Sequence, residues 1–355
     1  MQALTFEGIE CIVYQSVSEP QILQPTDAIV QISLSGICGS DLHVYHGRET
    51  GIDQGTVMGH EFVGTIIETG TAVKKFYKGS RVLSPFTTSC GECFYCRIGL
   101  TCRCEKGKLF GWVQSGHGLQ GAQAQYIRVP MADTTLFSLS NDLSEEKGLL
   151  LGDIFSTGYF CAENAGVDAK ARLSDGQGTY VVVGCGPVGL MTILAAKHLG
   201  AENLFAVDYS NERLQMAKEF GAVSLNPSAI DVKTAIMNAT NGRGADAVME
   251  VVGNPEALRL AIDILRPGGT ISSVGVHTAK SFSFSPGEAY DKNLVYKIGR
   301  CPAHYYAEKL LKEEVIQQYP AEKIITHHFK LNEGARAYEV FDKKLDNCIK
   351  AVLRP

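Results

Sequence analysis

Five cysteines fall within the sixteen residues 89–104, which read SCGECFYCRIGLTCRC. Three of them follow a C-x2-C-x2-C spacing, and seven residues separate the third from the last. Short spacers let the sulfurs converge on one point, and four thiolates complete a tetrahedral zinc site with no open position. The stretch therefore predicts a closed, structural zinc site with the ligands Cys90, Cys93, Cys96 and Cys104.

Two alternatives remain open for this cluster. An iron–sulfur cluster also uses four thiolates, and Cys102 competes with Cys104 for the fourth position because spacing alone does not separate them. A redox pair would explain only two of the cysteines. A disulfide framework is disfavoured because the start, MQALTFEGIECIVYQ, lacks the basic region and apolar run of a signal peptide, so we expect a cytoplasmic protein in reducing surroundings.

A glycine-rich turn, within VVVGCGPVGL, joins a predicted buried strand to a predicted helix. Its G-x-G-x-x-G spacing lets the backbone approach a pyrophosphate at a helix N-terminus, where free N–H groups point outward. The strand and helix on either side favour a dinucleotide site over a glycine turn that binds nothing. The predicted cofactor-binding residues of this turn are Gly184, Gly186, Pro187, Val188 and Gly189.

Asp208 ends the next predicted strand, 19 residues after Gly189. A carboxylate at this point can bind both hydroxyls of an adenosine ribose. Residues 209–211 read Tyr-Ser-Asn and offer no adjacent arginine for a 2′-phosphate, so NAD is favoured over NADP. Arg213 is predicted to reach the same ribose, with an ordinary solvated helix residue as the alternative.

Two further segments, GICGSDLHVYHG and VMGHEFVG, supply Cys38 and His60. Taken singly, each residue is more typical of a buried core position. Together with the four-cysteine cluster and the glycine-rich turn, they resemble the zinc-dependent medium-chain alcohol dehydrogenase family. That family carries a cysteine in C-x-S/T-D, a histidine in G-H-E, a four-cysteine lobe and the glycine-rich turn, in this order. The likeness covers essentially the whole chain.

The resemblance implies an α/β chain of two domains. A GroES-like, mostly-β catalytic domain would comprise residues 1–153 and 297–355, with the zinc lobe at about 90–104. A Rossmann-type, doubly wound parallel sheet would occupy residues 154–296. The sequence pattern agrees, since short strands and turns precede residue 150 and strands alternate with helices after it.

The resemblance also implies a catalytic zinc. Cys38 and His60 would be ligands, and Glu61 would be a carboxylate beside the metal. The third ligand of the family lies on the segment that enters the cofactor domain, and Asp153 in LLLGDIFSTG matches it. An ionised aspartate in so apolar a run would be costly without a cation. Cys161 is the rival ligand, although it lies deeper in the predicted helix.

The implied reaction is hydride transfer between an alcohol, or the matching aldehyde or ketone, and NAD, with two Zn²⁺ per chain. Zinc acts as a Lewis acid that favours the alkoxide near neutral pH. Ser40 would relay the proton to His43, which titrates near neutrality. Thr157 would pack against the nicotinamide, and Phe86 would lie in the substrate cleft. Trp112 is placed near the same cleft, or equally in the core.

Composition narrows the partners. Apolar residues make up 45% and charged residues 20% of the chain, and the net charge is −5. This balance gives no reason to expect nucleic acid or an anionic membrane as a partner. We expect a small-molecule substrate and, from the resemblance, a homo-oligomer in which a tetramer is favoured over a dimer.

Other functions remain as alternatives. A polyol or formaldehyde dehydrogenase of the same family is one, and a non-catalytic protein that binds NAD and zinc is another. A zinc-free quinone reductase would not need Cys38, His60 and Asp153. The sequence does not identify the substrate.

Overall fold

The computed structural model describes residues 1–167 and 178–355, so part of the predicted cofactor domain, 168–177, lies outside the described residues. The chain divides into two compact units. The β-rich unit consists of Met1–Asp153 and Pro302–Pro355, and the parallel-sheet unit of Ile154–Cys301. The second boundary lies five residues beyond the predicted one because residues 295–298 form a strand of the parallel sheet.

The first segment of the β-rich unit is mostly short strands. They are β1 (Gln2–Gly8), β2 (Cys11–Ser16), β3 (Ala28–Gly36), β4 (Thr56–Val57), β5 (Phe62–Thr69), β6 (Arg81–Ser84), β7 (Trp112–Gln114), β8 (His117–Leu119), β9 (Tyr126–Val129) and β10 (Phe137–Ser138). Its helices are α1 (Gly39–Tyr45), α2 (Phe94–Arg97), α3 (Ala132–Thr135) and α4 (Glu145–Gly152).

The parallel-sheet unit alternates strands and helices. Its helices are α5 (Ile154–Asn164), α6 (Pro187–His198), α7 (Asn211–Glu219), α8 (Val232–Ala239), α9 (Pro255–Ile264) and α10 (Pro286–Asp291). Its strands are β11 (Thr179–Val183), β12 (Asn203–Val207), β13 (Val223–Leu225), β14 (Ala245–Glu250), β15 (Leu265–Ser273) and β16 (Val295–Ile298).

These six strands form one parallel sheet in the order β13-β12-β11-β14-β15-β16. The order runs outward in both directions from β11 and β14. In sheets of this kind, ligands bind at the carboxyl ends of the strands, where the order reverses. The glycine-rich turn follows β11 and therefore lies at this point.

The last segment returns to the β-rich unit. It contains α11 (Ala303–Lys312), β17 (Ile325–Lys330), α12 (Gly334–Lys343) and β18 (Lys350–Arg354). A larger sheet has the order β10-β6-β5-β3-β18-β17, and β9 also pairs with β3. β18 runs antiparallel to β3, with Val352 opposite Gly36. This pairing brings the end of the described chain beside the segments that follow β3 and precede β5.

A helix break marks the junction of the two units. The sequence SEEKGLLLGDIFSTG has continuous helical spacing, yet α4 ends at Gly152 and α5 begins at Ile154. Asp153 has φ −141° and ψ −81°, which are not helical. Asp153 therefore lies between the two helices and belongs to neither. The predicted GroES-like and Rossmann-type fold is confirmed.

Candidate active site

Three side chains from separate parts of the β-rich unit meet at one buried point. Cys38 immediately precedes α1, His60 lies two residues before β5, and Asp153 occupies the helix break. Asp153 Oδ2 lies 3.5 Å from Cys38 Sγ and 3.3 Å from His60 Nε2. Each residue is less than one-tenth exposed. One sulfur, one nitrogen and one oxygen atom therefore face one another in a dry environment.

These separations suit a zinc ion. Ligand atoms at 2.0–2.3 Å from a tetrahedral zinc lie about 3.3–3.8 Å apart. The Cys38, His60 and Asp153 ligand atoms all lie within 4.8 Å of one another. Three protein ligands leave a fourth position open, which is the arrangement of a catalytic rather than a structural zinc.

Burial and charge shift the protonation of this group in the absence of a cation. Burial raises the pKa of Cys38, and the Asp153 and Glu61 charges raise it further. Burial alone would lower the pKa of His60, but the charge of Asp41 and hydrogen bonds to Asp153 and Asp41 hold it well above 6.5. Because zinc ligands bind in their deprotonated forms, binding of an ion at this point would release protons.

Asp41 contacts two of these three residues, Cys38 and His60, and was not among the predicted site residues. Its Oδ1 lies 3.3 Å from His60 Nδ1, and its Oδ2 accepts a hydrogen bond of 2.9 Å from the Cys38 backbone N–H. A carboxylate on the second ring nitrogen fixes the tautomer and orientation of a ligand histidine. The final D of the C-x-S/T-D motif was the available signal.

A buried ion pair lies beside the three ligands. Lys350 Nζ donates hydrogen bonds to Glu61 Oε2 (2.5 Å) and to the Ile37 carbonyl oxygen (3.0 Å). Both charged side chains are fully shielded from solvent. Burial raises the pKa of Glu61 to about 7 even though the Lys350 charge lowers it. Glu61 Oε1 is buried and accepts no hydrogen bond from the described residues.

Lys350 was also missed by sequence reasoning. The only local signal is a lysine within the apolar stretch CIKAVL, which becomes β18. Such a lysine reads equally well as an exposed residue of an edge strand. Only the pairing of β18 with β3 identifies its partner.

The structure brings only part of the predicted proton relay together. Ser40 Oγ lies 3.4 Å from His60 Nε2. His43 is half-buried on α1, and burial lowers the pKa of its ring. Its Nδ1 is buried without a hydrogen-bond partner in the described chain. No hydrogen bond joins Ser40 to His43 within residues 1–167 and 178–355.

The two predicted cleft residues have different surroundings. Phe86 is buried, and its ring centroid lies 6.2 Å from that of His60 in an edge-on arrangement. Trp112 is half-buried and packs against the apolar cluster that contains Leu4, Ile37 and Tyr338. Phe86 thus lies beside His60, and the surroundings of Trp112 favour the core alternative for that residue.

The four predicted zinc-lobe ligands form a second group. The sulfurs of Cys90, Cys93, Cys96 and Cys104 lie within 4.8 Å of one another. Cys90 Sγ and Cys96 Sγ are 3.9 Å apart, close to the roughly 3.8 Å expected for two thiolates on a tetrahedral zinc. Backbone hydrogen bonds lower the pKa of Cys93 to about 6, whereas burial raises the pKa of Cys104 to about 12 and also raises that of Cys96. Cys102 lies in a short 3-10 turn, Thr101–Arg103, and is not a member of the group.

The glycine-rich turn has the close backbone packing that a pyrophosphate site requires. Gly184 has φ +96°, and Gly186 directly precedes α6, whose first residue is Pro187. A Cβ at Gly189 would lie 1.9 Å from the Gly184 carbonyl oxygen. No side chain fits there, and the helix N-terminus that follows is the kind of position at which anions bind.

Asp208 follows β12 and holds this turn. Its carboxylate accepts hydrogen bonds from the backbone N–H groups of Cys185 (2.7 Å) and Ser210 (2.8 Å). The Arg213 Nη1 atom lies 3.7 Å from the point where a Cβ on Gly186 would stand. Its buried Nε has no hydrogen-bond partner among the described residues. The arginine is therefore half-buried, with its guanidinium close to the turn.

Thr157 and Cys161 both belong to α5. Thr157 is half-buried. Cys161 is fully buried, contacts the Ser272 carbonyl oxygen through its sulfur at 3.6 Å, and has a pKa raised to about 12 by burial. The structure thus brings Asp153, and not its rival Cys161, to Cys38 and His60.

Comparison with known proteins supports the same interpretation. Residues 24–139 match the family model described as alcohol dehydrogenase GroES-like domain, and residues 187–309 match that of zinc-binding dehydrogenase. "Zinc-type alcohol dehydrogenase B" of Aspergillus flavus is 41% identical over 348 residues, which cover 96% of this chain and 79% of that protein. The "uncharacterized zinc-type alcohol dehydrogenase-like protein AdhB" of Bacillus subtilis is 34% identical over 386 residues and the full length of both chains.

A solved structure agrees. Alcohol dehydrogenase TADH from Thermus sp. ATN1 superposes with a TM-score of 0.91 and 37% identity, covering 100% of this chain and 99% of its own. The chain therefore belongs to the zinc-dependent medium-chain alcohol dehydrogenase family. It is a zinc-dependent oxidoreductase of alcohols that uses a nicotinamide cofactor.

The buried ion pair generates a prediction about stability. Lys350→Met should lower the free energy of unfolding by about 3–5 kcal/mol, because it leaves the Glu61 carboxylate buried without its partner. Urea unfolding of the zinc-loaded protein measures this change.

The double variant Glu61→Leu/Lys350→Met is the matched control. It removes both charges and should recover most of the lost stability. An unchanged unfolding midpoint for Lys350→Met alone would contradict the prediction.

Proposed function

We propose that this chain transfers a hydride between an alcohol, or the matching aldehyde or ketone, and NAD at a zinc held by Cys38, His60 and Asp153. A second zinc, held by Cys90, Cys93, Cys96 and Cys104, would be structural. The observation that carries the proposal is the buried meeting of thiol, imidazole and carboxylate at separations that suit tetrahedral zinc.

The chain's own residues divide the work around this point. When bound, zinc supplies Lewis-acid chemistry that stabilises negative charge on the alcohol oxygen near neutral pH. Asp41 holds the His60 ring, and the Lys350 ion pair holds Glu61 beside it. Phe86 would give the site an apolar wall beside His60.

Proton removal would start at Ser40, whose hydroxyl lies against the ligand group. His43 would then receive the proton. Its pKa is lowered by burial, so the ring is neutral near pH 7 and able to accept a proton. Because no hydrogen bond joins Ser40 to His43 in the described residues, an intervening hydroxyl or water must complete the path.

The preference for NAD would depend on Asp208. Its carboxylate is already fixed by two backbone N–H groups and retains lone pairs for the hydroxyls of a ribose. A 2′-phosphate at the same point would meet a negative charge at close range. Arg213 is the one residue of this region that would favour the phosphate, and its position over the turn also suits the pyrophosphate.

A homo-oligomer is part of the proposal, with a tetramer favoured over a dimer. The edge strand β16 supports it, because an unpaired edge can join that of a second copy. Ile298 on this strand is about half exposed, and Tyr290 just before it is largely exposed. We also propose a cytoplasmic location and a small-molecule substrate. Among the described residues, no helix combines the length and apolar character needed to cross a bilayer.

The function is tested by metal and substrate analysis of the same preparation. Protein purified without chelator should contain about two zinc ions per chain, given two independent ligand sets. A panel of primary, secondary, polyol and aldehyde substrates, followed by NADH absorbance, should identify the class that is turned over. Activity confined to polyols or to formaldehyde would select the corresponding alternative within the family. Iron with visible absorbance would instead favour a cluster at the cysteines.

Cofactor choice gives a separate prediction. Wild-type enzyme should use NAD far more efficiently than NADP, and Asp208→Ala should narrow the ratio of kcat/KM values by roughly tenfold to a hundredfold, about 1.4–2.8 kcal/mol. Arg213→Gln is a useful companion variant, since it should not raise NADP use. Equal use of both cofactors by the wild-type enzyme would contradict the assignment of Asp208.

The assignment of the third ligand has its own test. Asp153→Asn keeps the shape of the side chain but removes one negative charge, so zinc content should fall from about two towards about one per chain while the cysteine lobe keeps its ion. Hydride transfer should drop by orders of magnitude. NAD affinity should change little because the glycine-rich turn and Asp208 are untouched.

Cys161→Ser is the matched control for that variant. It should retain both zinc ions and near-normal turnover, since its sulfur contacts Ser272 rather than the ligand group. If Cys161→Ser loses one zinc while Asp153→Asn keeps both, the third ligand is Cys161.

A further inference from the structure

Three polar side chains outside the sites described so far meet at the carboxyl edge of the parallel sheet. Glu250 ends β14, Ser273 ends β15, and His277 lies four residues beyond. Ser273 Oγ donates to Glu250 Oε2 at 2.5 Å, and His277 Nε2 lies 3.0 Å from the same oxygen. Ser273 Oγ and His277 Nε2 are 2.8 Å apart. We refer to Glu250, Ser273 and His277 as the Glu250 cluster.

The second oxygen of Glu250 is also fully used. Oε1 accepts hydrogen bonds from the backbone N–H groups of Val252 (2.8 Å) and Gly253 (2.7 Å). One buried carboxylate therefore binds the loop after β14 through one oxygen and the loop after β15 through the other. Burial would raise the pKa of Glu250, but the hydrogen bonds from His277, Ser273 and the two amides lower it, so it remains ionised.

The two loops lie against each other with no room for a side chain between them. A Cβ on Gly253 would stand 2.5 Å from the Val276 carbonyl oxygen, and a Cβ on Gly275 would stand 2.2 Å from Gly253 N. Their spacing is thus fixed by backbone contact. At this edge the loops expose two apolar side chains, since Val252 is 41% and Val276 36% exposed.

The order of the sheet indicates which half of a dinucleotide would reach these valines. The glycine-rich turn follows β11, where the pyrophosphate binds, and Asp208 follows β12 on one side of it. An adenosine over β12 leaves the other half of the cofactor to extend over β14 and β15, on the opposite side of the turn. Val252 is next to the turn, because a Cβ on Gly184 would lie 2.5 Å from its Cγ2.

We propose that His277, acting through the Glu250 cluster, is a positioning residue for the nicotinamide half of the cofactor. Because the Ser273 hydroxyl and the His277 ring both bind Glu250 Oε2, the ring carries its proton on Nε2 and donates it to the carboxylate. That bond holds the loop after β15 in place and so sets Val276 against Val252, the apolar surface on which the nicotinamide end rests. The proposal rests on the proposed cofactor site at the glycine-rich turn.

Comparing the binding of two ligands distinguishes a role of His277 in positioning the nicotinamide from a general structural role. NADH contains the nicotinamide, whereas ADP-ribose contains the adenosine, pyrophosphate and second ribose only. Calorimetric titration of zinc-loaded enzyme gives Kd for each. His277→Asn removes the donor at the Nε2 position, so Kd for NADH should rise by roughly tenfold to a hundredfold, the loss expected for a hydrogen bond to a charged group. Kd for ADP-ribose should stay within about twofold, a margin below one typical neutral hydrogen bond.

Two further variants sharpen the test. In His277→Gln, the amide nitrogen takes the place of Nε2 and can still donate to Glu250, so NADH affinity should return towards the wild-type value. His117→Asn changes an exposed histidine of β8, in the other unit, and should leave both affinities unchanged.

The possible outcomes are distinct. Wild-type NADH affinity in His277→Asn would overturn the proposal, and so would an equal loss of NADH and ADP-ribose binding. If His277→Asn does not fold, Glu250→Gln provides the same comparison, since it weakens the bond from the carboxylate side. If the wild-type enzyme binds neither ligand, the proposed cofactor site itself is wrong. That outcome is distinct from any effect of a His277 variant.

Discussion

The cost of burying charge is the constraint on which the β-rich unit depends. A thiol, an imidazole and a carboxylate share one dry point with a second carboxylate beside them, and removing such groups from water costs several kcal/mol for each ion. The protein meets part of this cost with a buried lysine and part with Asp41. A divalent cation held by Cys38, His60 and Asp153 would meet the remainder, which is why the arrangement suits zinc.

The parallel-sheet unit also compensates its carboxylate charges locally, at the carboxyl edge of the sheet. Asp208 follows β12, and Glu250 ends β14. The carboxylate of each accepts hydrogen bonds from backbone N–H groups of neighbouring loops. The two residues lie on opposite sides of the glycine-rich turn. Fixed loops at both sides give a flexible dinucleotide a surface that is already in its binding shape, and less conformational freedom is lost on binding.

Sequence spacing anticipates which side chains lie together where these residues are close in the chain or follow a regular pattern. The cysteines of residues 90–104 and the glycines after β11 lie within one turn or loop, so spacing carries most of their geometry. Sequence reasoning failed for Lys350, whose partner Glu61 lies 289 residues away, because no local pattern encodes a strand pairing at that distance. It also extended one helix through Asp153, since apolar periodicity does not register a single residue with non-helical dihedral angles. Trp112 was left between cleft and core for a similar reason: neighbours in space, not in sequence, decide its role.

The antiparallel pairing of β18 with β3 has a consequence for synthesis on the ribosome. The parallel-sheet unit is continuous in sequence, so it is free to fold as soon as residue 301 has emerged. The β-rich unit is not continuous in sequence. Both the Glu61–Lys350 ion pair and the pairing of β3 with β18 require residues of its last segment. Until Lys350 has been synthesised, the nascent chain contains Cys38, His60 and Asp153 beside a Glu61 carboxylate that has no cationic partner. The carboxylate beside Cys38, His60 and Asp153 therefore gains its cationic partner only after Lys350 has been synthesised, and the edge of β3 that pairs with β18 stays open in the interval.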